Sequence, residues 1–123
     1  EAVDIHAIMR FLSSPLAARV RRSGAVEREY RFSLLRPVRE LADVDADDKV
    51  LLQGVVDCFF EEDGALVVVD FKTDRVSPAQ LAERAERYRP QLEAYSMALE
   101  RVMERPVKER VLYFFAAGEE VRI

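Results

Sequence analysis

The chain has 123 residues, and its 19 basic and 23 acidic side chains give it a formal net charge of −4. This length fits a single domain, 1–123, and half of the residues are hydrophobic, which is enough to form a core without disulfide or metal support. The single cysteine, Cys58, excludes an internal disulfide and a cysteine metal cluster, and it is typical of a reducing cytosol, so we expect a cytoplasmic location. No apolar run reaches the roughly 20 residues of a membrane span.

The N-terminal part of the chain predicts a helix followed by a strand. Apolar residues recur at helical spacing over 3–22, and the Ser-Ser-Pro run at 13–15 predicts a break into two pieces. Residues 26–35 have the composition of a strand, and 36–49 form a predicted polar loop.

The C-terminal part returns from helix to strand. An apolar stripe predicts a helix over 81–102, with a break at 87–89 that places Pro90 in the first turn of a second helix. We expect this stripe to be core; it comprises Leu81, Ala85, Tyr88, Leu92, Tyr95, Leu99 and Val102. Further strands are predicted at 111–116 and 120–123. The order of elements predicts an α/β fold with a central mixed sheet flanked by helices.

The clearest β signal is a hairpin in the middle of the chain. Two β-rich runs, 50–60 and 66–71, are separated by Glu-Glu-Asp-Gly, and Asp-Gly at 63–64 is a strong hairpin turn. Pairing about this turn puts Asp57 directly opposite Asp70, with their Cβ atoms about 5 Å apart. The hairpin therefore predicts two carboxylates that converge on one face of the sheet.

Two carboxylates at that distance repel each other unless a proton or a cation lies between them. Hard oxygen ligands on a rigid hairpin suit Mg²⁺, and Lys72 would add a positive charge two residues beyond Asp70. Alternation places Asp57 on the same face of its strand as Val55 and Phe59. A solvated Asp–Lys pair on an outer face is the alternative, and a one-residue slip would put the two aspartates on opposite faces.

Three runs carry a resemblance to a known family: G-V-V-D at 54–57, D-F-K-T at 70–73 and Q-L-E-A-Y at 91–95. In this order they resemble the G-x-x-D, D-[FY]-K-T and Q-x-x-x-Y motifs of the RecB-family nuclease domain in the PD-(D/E)XK superfamily. The likeness is greatest to the C-terminal nuclease domains of AddA-type helicase–nucleases, and it covers nearly the whole chain. It implies a restriction-endonuclease-like fold in which the hairpin carries the active site.

The resemblance also implies roles for the hairpin residues. Asp57 and Asp70 would be metal ligands, and the carbonyl of Phe71 would complete the ligand set. Lys72 would be the motif lysine, which positions a water molecule and stabilises charge on a phosphate.

Other matched positions lie on the helix and on the first strand. Gln91 and Tyr95 match Q-x-x-x-Y and share a helix face because they are four residues apart. Glu29 matches the acidic position of an E-x-x-F element near the metal, and Glu27, two residues away on the same strand face, is the alternative.

One family motif, G-x-x-x-H, has no clear counterpart. His6 is the only histidine, and Ala2 stands where the motif has glycine. We therefore expect His6 to be a surface or packing residue, with its role as a ligand as the alternative. If the motif histidine lies in an upstream helix, this chain is a fragment of a longer protein, and alone it would bind metal weakly and cut DNA poorly.

The sequence thus predicts a DNA nuclease domain that depends on Mg²⁺, with Mn²⁺ as a substitute. The resemblance implies an exonuclease fed with single-stranded DNA by a helicase that binds ATP elsewhere in the full-length protein. It also implies a partner protein of the AddB type in a heterodimer, and a role in double-strand-break repair. The alternative from another functional class is a catalytically silent scaffold or DNA-tracking domain.

Overall fold

The structure, a computed structural model, describes residues 4–37 and 48–123, without the side chains of Val50 and Leu52. In chain order the elements are α1 (Ile5–Leu12), α2 (Pro15–Arg22), β1 (Val26–Pro37), β2 (Lys49–Glu62), β3 (Ala65–Lys72), a 3-10 turn (Pro78–Gln80), α3 (Leu81–Met103), β4 (Val107–Phe114) and β5 (Glu119–Arg122). Most of the predicted loop at 36–49 lies outside the described residues, and so does Ala2.

The described part of the chain forms a five-stranded sheet in which the strands lie side by side in sequence order. The pairs β1–β2, β2–β3 and β4–β5 are antiparallel, whereas β3 and β4 are parallel. A parallel pair requires a crossover connection, and α3 supplies it. The prediction of a mixed sheet is confirmed.

Helices cover both faces of this sheet. On one face α3 buries an apolar group that we call the α3 cluster: Phe32, Val56, Phe59, Leu66, Val68, Ala85, Leu92, Ala98, Leu99, Leu112 and Phe114. On the opposite face lies the α1–α2 cluster: Leu16, Cys58, Phe60, Val67, Val69, Val111 and Tyr113. The sheet is therefore the middle layer of three, which agrees with the predicted α/β architecture.

The predicted break in the N-terminal helix is confirmed. Ser14 caps α2, because its hydroxyl oxygen accepts a hydrogen bond of 3.1 Å from the Ala17 amide, and Pro15 occupies the first turn. The apolar stripe of α1 does not enter the core: Ile5, Ile8, Met9 and Leu12 are all exposed. Instead α1 turns the small side chain of Ala7 inward.

The predicted break before Pro90 is wrong, because α3 is one continuous helix of 23 residues with Pro90 in its interior. Proline removes a backbone hydrogen bond from the helix ladder, which normally ends or kinks a helix. Here Ala85 and Leu92, on either side of Pro90, both pack into the α3 cluster, and this packing outweighs the lost bond. Despite its length, neither α3 nor any other helix in the described part is apolar enough to cross a membrane.

Candidate active site

The β2–β3 hairpin brings the two predicted carboxylates together. A two-residue turn joins the strands, and both turn residues, Asp63 and Gly64, have left-handed φ angles of 54° and 81°. Cys58 pairs with Val69, so Asp57 and Asp70 occupy the next row of the hairpin. Asp57 Oδ2 also accepts a hydrogen bond of 2.9 Å from the amide of Phe71. The predicted register is confirmed.

Asp70 is a buried carboxyl beneath α3, only 5% exposed. Its Oδ2 lies 2.8 Å from Lys72 Nζ in an ion pair. Burial raises the pKa of Asp70 to about 6; a hydrogen bond with the Asp57 carboxyl raises it further, and the Lys72 ammonium opposes both. The alternative of a solvated pair on an outer face is therefore wrong.

Two side chains from α3 extend this pair into a hydrogen-bonded chain. Lys72 Nζ donates to Gln91 Oε1 at 3.1 Å, and Gln91 Nε2 donates to the Tyr95 hydroxyl at 3.1 Å. Burial and the negative charge of Asp70 raise the pKa of Tyr95. The structure thus brings Asp57, Asp70, Lys72, Gln91 and Tyr95 together at the contact between the hairpin and α3.

Gly54 makes this contact possible. A Cβ atom at position 54 would lie 3.0 Å from the rings of both Phe32 and Tyr95, closer than ordinary van der Waals contact. These two rings also meet edge to face, with their centroids 5.6 Å apart. Glycine at this position therefore lets Tyr95 of α3 approach the backbone of β2.

The strand alternation predicted for β2 fails at Asp57. Val56 and Phe59 both belong to the α3 cluster although they are an odd number of residues apart, and Val55 is exposed. Across from Asp57, Glu29 has a left-handed φ of 49° and no paired position in the β1–β2 ladder. This strained backbone interrupts the regular pleat, and it lies beside a candidate catalytic residue, as such strain often does.

Glu29 and His6 do not join the carboxylate pair. Both side chains are exposed, and so is Glu27. Within 4–37 and 48–123, no group of three or more His, Cys, Asp or Glu side chains could hold a metal ion. The left-handed backbone takes Glu29 out of the regular alternation of β1, which explains why its motif match does not bring it to Asp57.

Three residues without a predicted role in the site surround Lys72. Its Nζ lies 3.9 Å from the centroid of the Tyr88 ring. The Tyr88 hydroxyl donates to Asp74 Oδ2 at 2.7 Å, and Arg84 pairs with the same oxygen at 2.7 Å. Burial opposes ionisation of Asp74, but the hydrogen bonds from Arg84 and Tyr88 outweigh it and lower its pKa. A signal was present, because Tyr88 precedes Gln91 by three residues and shares its helix face.

The donor atoms of the carboxylate pair fit a hard divalent cation. Mg²⁺ commonly binds one or two carboxylates and completes its shell with water and substrate phosphate oxygens, whereas structural Zn²⁺ sites use histidine and cysteine. A divalent ion would also relieve the repulsion between Asp57 and Asp70 that helps to raise the pKa of Asp70. The predicted ligation by the Phe71 carbonyl stays a prediction; the Phe71 ring packs edge-on against Phe11, at 5.3 Å.

Comparison with known proteins relates the whole domain to one family. A family model described as the PD-(D/E)XK nuclease superfamily matches residues 3–122. Proteins named as subunits of an ATP-dependent helicase/nuclease are similar along the chain: 41% identical over 128 residues in Ruminiclostridium cellulolyticum, covering 100% of the chain, and 42% over 123 residues in Acetivibrio thermocellus, covering 96%. A Moorella thermoacetica protein with the same name is 40% identical over 128 residues and 99% of the chain. The chain spans about one tenth of the length of these relatives.

Proposed function

The chain belongs to the PD-(D/E)XK nuclease superfamily, and from that premise we propose that it hydrolyses phosphodiester bonds in DNA with the help of a divalent metal ion. The observation that carries this proposal is the convergence of Asp57, Asp70 and Lys72 beneath α3. In this arrangement a metal-binding carboxylate pair lies within one ion pair of a cationic side chain, and phosphodiester hydrolysis uses both.

Each member of the site has a distinct task in this proposal. Asp57 and Asp70 hold Mg²⁺, for which Mn²⁺ can substitute, and the Phe71 carbonyl is a further ligand. When bound, the metal ion polarises a phosphate oxygen and lowers the pKa of a water molecule. Lys72 places its ammonium where negative charge develops on the phosphate, and Gln91 fixes the direction of that ammonium. Tyr95 in turn holds the Gln91 amide.

The larger setting of the domain is also part of the proposal. The name shared by the relatives describes one subunit of an ATP-dependent helicase/nuclease, and it supports a domain that works within a longer polypeptide. We propose that a helicase region binds ATP and delivers single-stranded DNA to this site, which acts as an exonuclease in double-strand-break repair. An AddB-like protein is the proposed partner, and the cytoplasm is the proposed location.

A second candidate function has its own supporting observation. Within the described residues the carboxylate pair has no third acidic or histidine neighbour that could complete a metal site, and Glu29 stays exposed. This favours a catalytically silent domain that serves as a scaffold or tracks along DNA. Metal binding and DNA cleavage separate the two candidates.

The test replaces one ligand and compares it with a matched change on the same hairpin. Asp70→Asn keeps the shape of the side chain but removes its charge, so we expect cleavage of single-stranded DNA in Mg²⁺ to fall by about 100-fold or more. The control is Asp63→Asn, an exposed turn residue whose left-handed backbone suits asparagine. Calorimetry should show Mg²⁺ binding to the wild type and to the control, and weaker binding to Asp70→Asn.

Two results would overturn the proposal. Undiminished cleavage by Asp70→Asn would remove this residue from catalysis. A wild-type protein that neither binds Mg²⁺ nor cleaves DNA would favour the silent scaffold.

A further inference from the structure

The ammonium of Lys72 is held by contacts from three directions. Asp70 Oδ2 lies 2.8 Å from Nζ, Gln91 Oε1 lies 3.1 Å from it, and the centroid of the Tyr88 ring lies 3.9 Å from it. A lysine side chain is a flexible four-carbon stem with a rotatable ammonium, so one partner alone leaves its position poorly defined. Asp70 and Gln91 already belong to the proposed site, but Tyr88 does not.

The Tyr88 ring is itself fixed in place. Its hydroxyl donates to Asp74, just beyond the end of β3, and Arg84 of α3 pairs with the same Asp74 oxygen. The side chain of Asp74 is only 15% exposed, so its bonds to Tyr88 and Arg84 are sheltered from water. The link between β3 and α3 thereby sets the orientation of a ring whose face meets the Lys72 ammonium.

We propose that Tyr88 is a positioning residue for Lys72: the face of its ring holds the ammonium beside Asp70, and Asp74 with Arg84 holds the ring. The attraction is that of a cation for the negative face of an aromatic ring. The catalytic meaning of this contact rests on the proposed nuclease function, whereas the contact itself can be tested without it. Tyr88 also packs against the α3 cluster, so the test must separate positioning from packing.

Lysine resonances provide a readout that packing alone does not move. The chain contains only three lysines, Lys49, Lys72 and Lys108, so the ε-methylene signals of ¹³C-labelled lysine can be assigned by single substitutions. Ring current shifts protons above a ring face upfield, and we expect this shift for Lys72 alone. Tyr88→Leu should abolish it, whereas Tyr88→Phe, which keeps the ring, should retain most of it.

The control for lost packing is Tyr30→Leu, because Tyr30 packs against the same cluster through an edge-to-face contact with Phe59 at 5.3 Å. This variant should leave the Lys72 shift in place. An unmoved Lys72 signal in Tyr88→Leu would overturn the proposal, and so would its loss in Tyr30→Leu.

Activity supplies the second arm. We expect Tyr88→Leu to slow DNA cleavage by about 2- to 30-fold, the range to which cation–π energies correspond, and Tyr88→Phe to restore most of the rate. A Tyr88→Phe variant as slow as Tyr88→Leu would contradict positioning by the ring face. Absence of cleavage in every variant, with the shift intact in the wild type, would count against the nuclease function and not against the contact.

Discussion

Gly54 illustrates at the scale of one residue how a missing side chain shapes this site. Its hydrogen atom stands where a Cβ atom would press on the rings of Phe32 and Tyr95. Tyr95 holds Gln91, and Gln91 holds Lys72, so the fit at position 54 bears on a hydrogen-bonded chain that ends at the proposed metal ligands.

We therefore expect Gly54→Ala to lower the free energy of unfolding by about 1–3 kcal/mol, as overpacking of a tight contact does. Gly24→Ala is the matched control, because a Cβ atom there meets nothing within 4 Å. It should be neutral or stabilising by up to about 1 kcal/mol. Urea denaturation measures both; equal stabilities of the two variants would show that the rings adjust at no cost.

Residue-scale prediction from sequence works best where the contact is local. The opposition of Asp57 and Asp70 follows from a two-residue turn, so counting outward from Asp63 and Gly64 is sufficient. Periodicity predicts Tyr88 only as core, since a contact between a ring face and an ammonium from another element leaves no periodic pattern. Glu29 matches a motif, but its left-handed backbone depends on the surrounding sheet and has no signature in the sequence.

At the scale of the element, α3 keeps a proline in its interior at a known energetic cost. Pro90 is exposed, so replacing it removes no buried contact, while alanine restores the missing amide donor to the helix ladder.

Pro90→Ala should therefore raise the free energy of unfolding by about 1–3 kcal/mol. Glu93→Ala, an exposed change three residues further along α3, is the control and should alter stability by less than about 0.5 kcal/mol. Thermal and urea unfolding would both report the difference. A loss of stability in Pro90→Ala would show that the proline supports the helix in a way its position does not suggest.

The elements themselves are largely predictable. The hairpin, the broken N-terminal helix and the final strands all follow from turn residues and periodicity, which are local signals. The break expected before Pro90 is wrong because packing on both sides of the proline overrides its local preference. The pleat of β2 also departs from its prediction, because regular alternation cannot anticipate an interruption imposed by a neighbouring strand.

At the scale of the whole molecule, one arginine ties two layers together. Arg19 of α2 pairs with Glu62 of β2 at 2.7 Å and with Glu109 of β4 at 2.9 Å. Lys108 also reaches Glu62, at 2.9 Å. Hydrogen bonds from Arg19 and then from Lys108 lower the pKa of Glu62 from 4.5 to about 2.

This pKa gives the stability a defined dependence on pH. Because the folded state favours the ionised carboxylate, the contribution of Glu62 is present above pH 4.5 and is lost as the pH falls towards 2. At pH 7 Glu62→Gln should cost about 1 kcal/mol, and its difference from the wild type should close between these two values.

The control is Glu83→Gln, whose partner Arg87 is 65% exposed, and it should have little effect at any pH. Urea unfolding at a series of pH values measures both variants. A difference between Glu62→Gln and the wild type that persists unchanged at low pH would contradict the assigned ion pair.

The parallel pairing of β3 with β4 also has a consequence for how the protein folds. The β2–β3 hairpin joins neighbours in the sequence, and such hairpins form within microseconds. The parallel pair must wait until the intervening α3 has formed and docked, since contacts between distant parts of a chain are slow to form. The carboxylates therefore meet early in folding, and Gln91 and Tyr88 reach Lys72 late. We expect a partly folded chain to carry its carboxylate pair without the groups that hold Lys72, so that hydrolysis becomes possible only with the last step of folding.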